Sequence, residues 1–259
     1  MKTLFLSLAL LLLGGCAGGL RIDDSHTSVS QSSRVQYVVL HYTSTDLDGS
    51  LRVLTRDGVS SHYLIGDHPA KIYRLVDENR RAWHAGESEW QGRTWLNAST
   101  LGIELVNEGY RETANGRVYQ PFSEEQIDAL ILLLKDIVQR HSLPPGSIIG
   151  HSDIAPQRKV DPGPLFPWKR LADAGLVPWP DVRAVAREQA RFALALPTIG
   201  WFQQQLARQG YTTPQTGVLD KATRSVIAAF QMKYRQRLYD GQPDAETAAL
   251  LLVLNGMPH

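Results

Sequence analysis

The run Val35-Gln-Tyr-Val-Val-Leu-His-Tyr-Thr43 constrains the fold of this chain more than any other segment. It is β-branched, aromatic and nearly continuous in apolarity, so it reads as a strand buried on both faces, with His41 near its C-terminal end. Further strands are expected at Val59–Ile65, Ile72–Val76 and Leu101-Gly-Ile-Glu-Leu-Val-Asn107, and a short one at Ser147–His151. Between the last two, Pro121-Phe-Ser-Glu-Glu-Gln126 opens a helix, with Ser123 as N-cap, Gln126 completing a capping box and Phe122 placed to staple onto Ile127. Ile127, Leu130, Ile131, Leu134, Ile137 and Val138 then share the face that covers the sheet, and Pro144-Pro145-Gly146 ends the helix. Strands interleaved with covering helices predict an α/β domain built on one central sheet.

Around Val177-Pro-Trp-Pro-Asp181 the pattern changes, and beyond it only helical periodicity is found. Ile199, Phe202 and Leu206 mark one helix ending at Gly210. Asp220 caps a second that carries Val226, Ile227 and Phe230, and Asp244 caps a third that carries Ala248, Leu251 and Leu252 and ends at Gly256. The expected organisation is an α/β domain over 34–180, a linker over 181–197 and a small three-helix domain over 198–259.

The N-terminus is of another kind. Met1-Lys2-Thr3 is followed by an apolar stretch from Leu4 to Leu13 and by Leu13-Gly14-Gly15-Cys16, a secretory signal with a lipobox over 1–15. The apolar stretch falls short of the roughly 20 residues needed to span a bilayer. Similarity to bacterial lipoprotein signals implies cleavage before Cys16 and acylation of its thiol and amine, with palmitate among the chains. A lipidated flexible tether over 16–33 would follow, rich in Gly, Ser and Thr. Ala17 in place of an aspartate implies sorting to the outer membrane, facing the periplasm. With its single cysteine acylated, the chain has no disulfide. Lys and Arg number 27 against 26 Asp and Glu, so no broad field draws the protein to nucleic acid, and none is expected as a partner.

The segment His151-Ser-Asp-Ile-Ala-Pro-Gln-Arg-Lys-Val-Asp-Pro-Gly-Pro-Leu-Phe-Pro-Trp168 places an imidazole, an ammonium and a carboxylate on a proline-stiffened stretch that forbids a regular helix across it. In an extended run Lys159 and Asp161 point the same way. His41, His151 and Asp161 together offer two imidazoles and a carboxylate, a donor set that zinc accepts with a fourth position left for water, although their spacing carries no diagnostic interval. Glu104 is an acid inside an otherwise apolar strand, costly to bury without a partner, and is the candidate base. Lys159 is the candidate to stabilise a developing oxyanion. His62 and His84 divide evenly between structural support and substrate contact. Trp83, Trp90 and Trp95 could form a sugar-stacking wall or belong to the core. His26, His68, His141 and His259 read as bystanders.

On Val39-Leu-His-Tyr-Thr43, Val59-Ser-Ser-His-Tyr-Leu64, Ala82-Trp-His-Ala-Gly86, Leu101-Gly-Ile-Glu-Leu105 and the whole of Gly150–Trp168, the chain resembles the type-2 N-acetylmuramoyl-L-alanine amidases, and among them outer-membrane lipoproteins. The likeness runs from about Val35 to Trp179. It implies a central mixed β-sheet flanked by helices, as in the zinc amidase and peptidoglycan-recognition-protein group. It also implies a Zn2+ hydrolase that cuts the amide between N-acetylmuramic acid, 1,6-anhydro forms included, and L-alanine of the stem peptide. In that pattern His41, His151 and Asp161 match the zinc ligands, Glu104 the acid/base and Lys159 the oxyanion-stabilising lysine; His84, Trp83 and His62 stand beside them as substrate-contact candidates read from the residues alone. Gly217-Val-Leu-Asp220, Thr223 and Ala228-Ala-Phe-Gln231 are similar to three-helix peptidoglycan-binding domains. The expected partners are therefore peptidoglycan or muropeptides and, through acylated Cys16, a lipid bilayer; a monomer is expected. Two other readings stay open on the residues alone: a module that holds muropeptides without cutting them, and a zinc peptidase acting within the stem peptide.

Overall fold

The computed structural model describes residues 20–257, so the signal sequence, Cys16 and His259 lie outside the described residues. Residues 20–32 are exposed and carry neither helix nor strand. Residues 33–257 belong to one compact unit. No helix among the described residues is long and apolar enough to cross a membrane.

The expected first strand forms as β1 (Tyr37–Tyr42). It is followed by α1 (Leu47–Arg56), β2 (Tyr63–Ile65), β3 (Ile72–Arg74), the hairpin β4 (Glu89–Trp90) with β5 (Arg93–Thr94), and β6 (Thr100–Leu105). Next come the hairpin β7 (Tyr110–Thr113) with β8 (Gly116–Tyr119), α2 (Glu124–His141), β9 (Ile148–Gly150), α3 (His151–Ile154) and α4 (Trp168–Asp173). The last four elements are α5 (Val182–Leu194), α6 (Ile199–Gln209), α7 (Lys221–Tyr234) and α8 (Ala245–Asn255). The central sheet has the order β3-β2-β6-β1-β9; β2, β6, β1 and β9 run parallel and β3 is antiparallel to β2, which makes it mixed.

Both faces of β1 are indeed apolar because both are covered. Val38 and Leu40 join Leu101, Ile103, Leu105 and Ile148 in a core closed by Ile127, Leu130, Leu134 and Ile137 of α2 and by Trp168 and Leu171 of α4. Tyr37, Val39 and Ile149 face the other way, into a cluster with Phe202 and Leu206 of α6, Val226 and Phe230 of α7, and Leu251 of α8. The C-terminal helices thus complete the second layer of the sheet. Their ends form as read: Gly210 closes α6 in a left-handed conformation (φ 114), and Asp220 and Asp244 cap α7 and α8 through Thr223 N and Thr247 N.

Several local expectations need correction. The 181–197 segment is not a linker: Asp181 accepts from Ala184 N and starts α5, whose Phe192 is buried in the C-terminal cluster, so four helices follow residue 181. Gln126 does not close a capping box. Ser123 accepts from Gln126 N, but the Gln126 amide turns inward and donates to Ile65 O (3.1 Å) and Val106 O (3.0 Å), at the ends of two strands. α2 stops at His141, with Ser142 left-handed, before the prolines are reached. One helical turn, α3, fits between Gly150 and Pro156, because the restriction that proline places on its predecessor falls on Ala155. β2 is also shorter than expected, and Val59 and Ser60 precede it.

Candidate metal centre and cleft

The parallel register of β1 and β6 sets His41 directly beside Glu104 at the C-terminal ends of both strands. Ligands gather at this edge of open α/β sheets, since the chain leaves it in loops. β9, on the other side of β1, delivers His151 as the first residue of α3. Ser152 N donates to Asp161 O at 2.8 Å, which draws the proline-rich segment back against that turn. His41, His151 and Asp161, all buried, converge as a result. The two Nδ1 atoms are 2.9 Å apart, and Asp161 Oδ2 lies 3.1 Å from that of His41 and 3.0 Å from that of His151.

The partners of the outer nitrogens fix where the protons are. Thr100 Oγ1 donates its one proton to Leu96 O (2.7 Å), so it accepts from His84 Nε2 (3.1 Å). His84 Nδ1 is then bare and accepts from His41 Nε2 at 3.1 Å, which leaves His41 Nδ1 as a lone pair. His151 Nε2 donates to Ala85 O at 3.2 Å, so its Nδ1 is bare as well. Three lone-pair donors therefore face one another with no proton among them. That arrangement is repulsive unless a cation sits at its centre. A tetrahedral zinc with bonds of about 2.0–2.1 Å sets its ligands roughly 3.3 Å apart, close to the spacing found, so the residues fit the ion. Burial is the largest cause that pushes the His41 pKa down to about 4, in keeping with a neutral imidazole there.

Glu104 is the acid that the strand pattern marked. Its Oε2 is shielded from solvent and has no hydrogen-bond partner, an orphaned carboxyl oxygen beside the cluster. Burial, then the negative charge of Asp161, push its pKa up to about 8, with Lys159 pulling the other way. A carboxyl poised there can take up and return a proton near neutral pH. His41, Glu104, His151, Lys159 and Asp161 all line one cleft of about 210 Å3, whose outer wall includes Val53, Val59, Trp83 and His84. Trp83 is half exposed there, with the Arg81 guanidinium 4.2 Å from its ring.

The remaining candidates separate. His84 backs His41 and lines the cleft, held by Asn97, whose Oδ1 accepts from His84 N (3.0 Å) and Ala85 N (2.8 Å). His62 is not free for a substrate. It is fully enclosed, with Nδ1 accepting from Gly102 N (3.0 Å) and Nε2 bonded to Arg80 O (3.1 Å). Trp90 is buried against Tyr211, and Trp95 is exposed but does not line the cleft. Thr100, Asn97, Arg158 and Asp153 were not singled out from the sequence. Asp153 and Arg158, whose Nη2 donates to Ala85 O and Glu87 O, lie within the Gly150–Trp168 motif, and Asn97 and Thr100 just before Leu101–Leu105, but their chemical types alone mark no role.

Three atoms that could hold a metal ion, a carboxyl oxygen without a partner and an ammonium around one cleft are groups suited to a hydrolytic enzyme. Residues 31–164 match the family described as N-acetylmuramoyl-L-alanine amidase, and residues 195–251 match one described as "Putative peptidoglycan binding domain". N-acetylmuramoyl-L-alanine amidase AmiD of Escherichia coli is 43% identical over 93% of this chain and 93% of its own length. The structure of that amidase in complex with the substrate anhydro-N-acetylmuramic acid-L-Ala-D-gamma-Glu-L-Lys superposes with a TM-score of 0.82 at 40% identity, covering 91% of this chain and 94% of the other. AmpDh3 of Pseudomonas aeruginosa superposes with a TM-score of 0.85 at 39% identity, covering 91% and 98%. The chain belongs to the N-acetylmuramoyl-L-alanine amidase family, and it is an enzyme with that activity.

Proposed function

We propose that this amidase uses His41, His151 and Asp161 to hold Zn2+, Glu104 as its acid/base and Lys159 to stabilise the oxyanion, and that its substrates include muropeptides ending in 1,6-anhydro-N-acetylmuramic acid. The observation that carries the reading is the triangle of bare donor atoms beside an orphaned carboxyl oxygen in one cleft. Zinc there supplies Lewis acidity to a water and to the scissile carbonyl. Glu104 takes a proton from the attacking water and returns it to the departing nitrogen of L-alanine, so that no free charge is left on the amine as the bond breaks. The Lys159 ammonium offsets the negative charge that gathers on the carbonyl oxygen, where exclusion of water strengthens the attraction. The His84 to Thr100 chain keeps the His41 lone pair inward throughout.

Substrates with an anhydro-muramyl end are supported by the named ligand of the Escherichia coli relative. The test is parallel digestion of anhydro and non-anhydro muropeptides: turnover of the anhydro series supports the reading, and turnover of the non-anhydro series alone refutes it. Asp161→Ala should lose its metal on elemental analysis, whereas full zinc content would remove Asp161 from the ligands. The lipobox supports a lipoprotein of the outer membrane facing the periplasm. A palmitate analogue should label the wild-type protein but not Cys16→Ser; equal labelling would refute the anchor. The C-terminal match supports contact with peptidoglycan by the helical region.

A further inference from the structure

His151 stands on a single helical turn, and one turn is too short to hold itself rigid. What fixes it is Asp153, two residues on, which is 1% exposed. Asp153 Oδ2 accepts from Gly150 N at 2.9 Å, which closes the turn on the residue that precedes His151. The same oxygen is 3.0 Å from Lys233 Nζ of α7, and Oδ1 accepts from Tyr211 OH, after α6, at 2.6 Å. Lys233 is itself buried, with its ammonium 4.4 Å from the Trp168 ring. Tyr211 is locked edge-on against Trp90 at 4.9 Å. Every polar partner of Asp153 other than Gly150 therefore comes from beyond residue 181.

We propose that Lys233 of α7 and Tyr211, both from the C-terminal region, act through Asp153 as a positioning residue that sets the metal ligand His151. The inference rests on the reading of His151 as a zinc ligand. A buried carboxylate that loses its cation must find another partner or move. Movement of Asp153 releases Gly150 N and turns the His151 ring away from His41 and Asp161. A helical region that served only to hold the cell wall would need no buried charge against the turn that carries a metal ligand.

The test measures zinc affinity by chelator competition and thermal stability on the full chain for Lys233→Met, Tyr211→Phe, Leu251→Ala and His41→Ala. Lys233→Met should weaken zinc binding by roughly 10- to 100-fold, the usual range for groups that orient a ligand, and Tyr211→Phe by less. Leu251→Ala, which opens a cavity in the same helical core without touching Asp153, should lower Tm and leave zinc affinity unchanged. Lys233→Arg should restore most of the affinity. If Lys233→Met and Tyr211→Phe lower Tm but bind zinc as the wild type does, the proposal is overturned and the contact is merely structural. His41→Ala separates the two claims: retained zinc in that variant would defeat the ligand assignment itself.

Discussion

In the proposed mechanism Glu104 bears the chemistry and its neighbours bear the geometry, so their variants should fail in different ways. Glu104→Ala should lower turnover by roughly 10²- to 10⁴-fold, the range for loss of a positioned acid/base, while elemental analysis finds zinc retained. Near-normal hydrolysis would sink the assigned role. Gly102 is needed because a Cβ there would lie 2.5 Å from Cγ of His84, which would drive that ring off His41. Gly102→Ala should therefore weaken zinc binding by roughly 10- to 100-fold in a chain that still folds, and unchanged affinity would show that His84 does not orient His41. At this scale the sequence marks residues by chemical type in the wrong place: an acid in an apolar strand, or histidines at strand ends. It does not mark Thr100 or Asn97, because a hydroxyl and an amide are common everywhere and acquire a role only from what they touch. His62 shows the converse, a histidine in a recognisable motif whose two nitrogens serve the backbone.

Among the elements, β1 and β6 were legible because a buried parallel strand has a strong signature, and their register alone sets His41 beside Glu104. α5 was not. Arg183, Arg187, Glu188 and Arg191 give it a polar surface, and only Phe192 is buried, so its apolar stripe is too narrow to stand out between Pro178 and Pro180 on one side and Pro197 on the other. Nor could a four-residue turn such as α3 be read from periodicity. Gln126 has the spacing of a capping residue, but the Val106 carbonyl just past β6, and Ile65 O at the end of β2, which also accepts from Val106 N (2.9 Å), compete for its amide and win. Gln126→Ala should cost about 1–3 kcal/mol, the penalty for leaving the buried Val106 carbonyl unpaired, read as a lower urea midpoint at unchanged m-value. A loss confined to helix propensity, at a few tenths of that, would show that the strand ends are satisfied in another way.

The whole molecule is held at its far side by Glu78, which accepts from Tyr63 OH (2.6 Å) and Arg140 Nη2 (2.9 Å) and pairs with His141 Nε2 (2.8 Å), tying β2 and α2 together. Burial works against this carboxylate, but the bonds from Arg140, Tyr63 and His141 outweigh it and hold its pKa at about 2. A lowered carboxyl pKa contributes stability above its unfolded value and loses it as the pH falls through the folded one. Glu78→Gln should accordingly be less stable than wild type at neutral pH, with the gap closing between pH 4.5 and about 2. A gap that persists to pH 2 would assign the loss to packing. The sequence divides the molecule into two domains and a linker. The fold joins them, because the cluster on the second face of β1 draws most of its residues from the C-terminal helices, and such a contact between distant segments leaves no local trace in either. Mass spectrometry of muropeptides digested by the full-length protein, with and without chelator, tests the account most directly. It should find free stem peptides that begin at L-alanine and muramic acid freed of peptide, both abolished by chelation. Cleavage within the stem peptide, or equal activity after the metal is stripped, would contradict it.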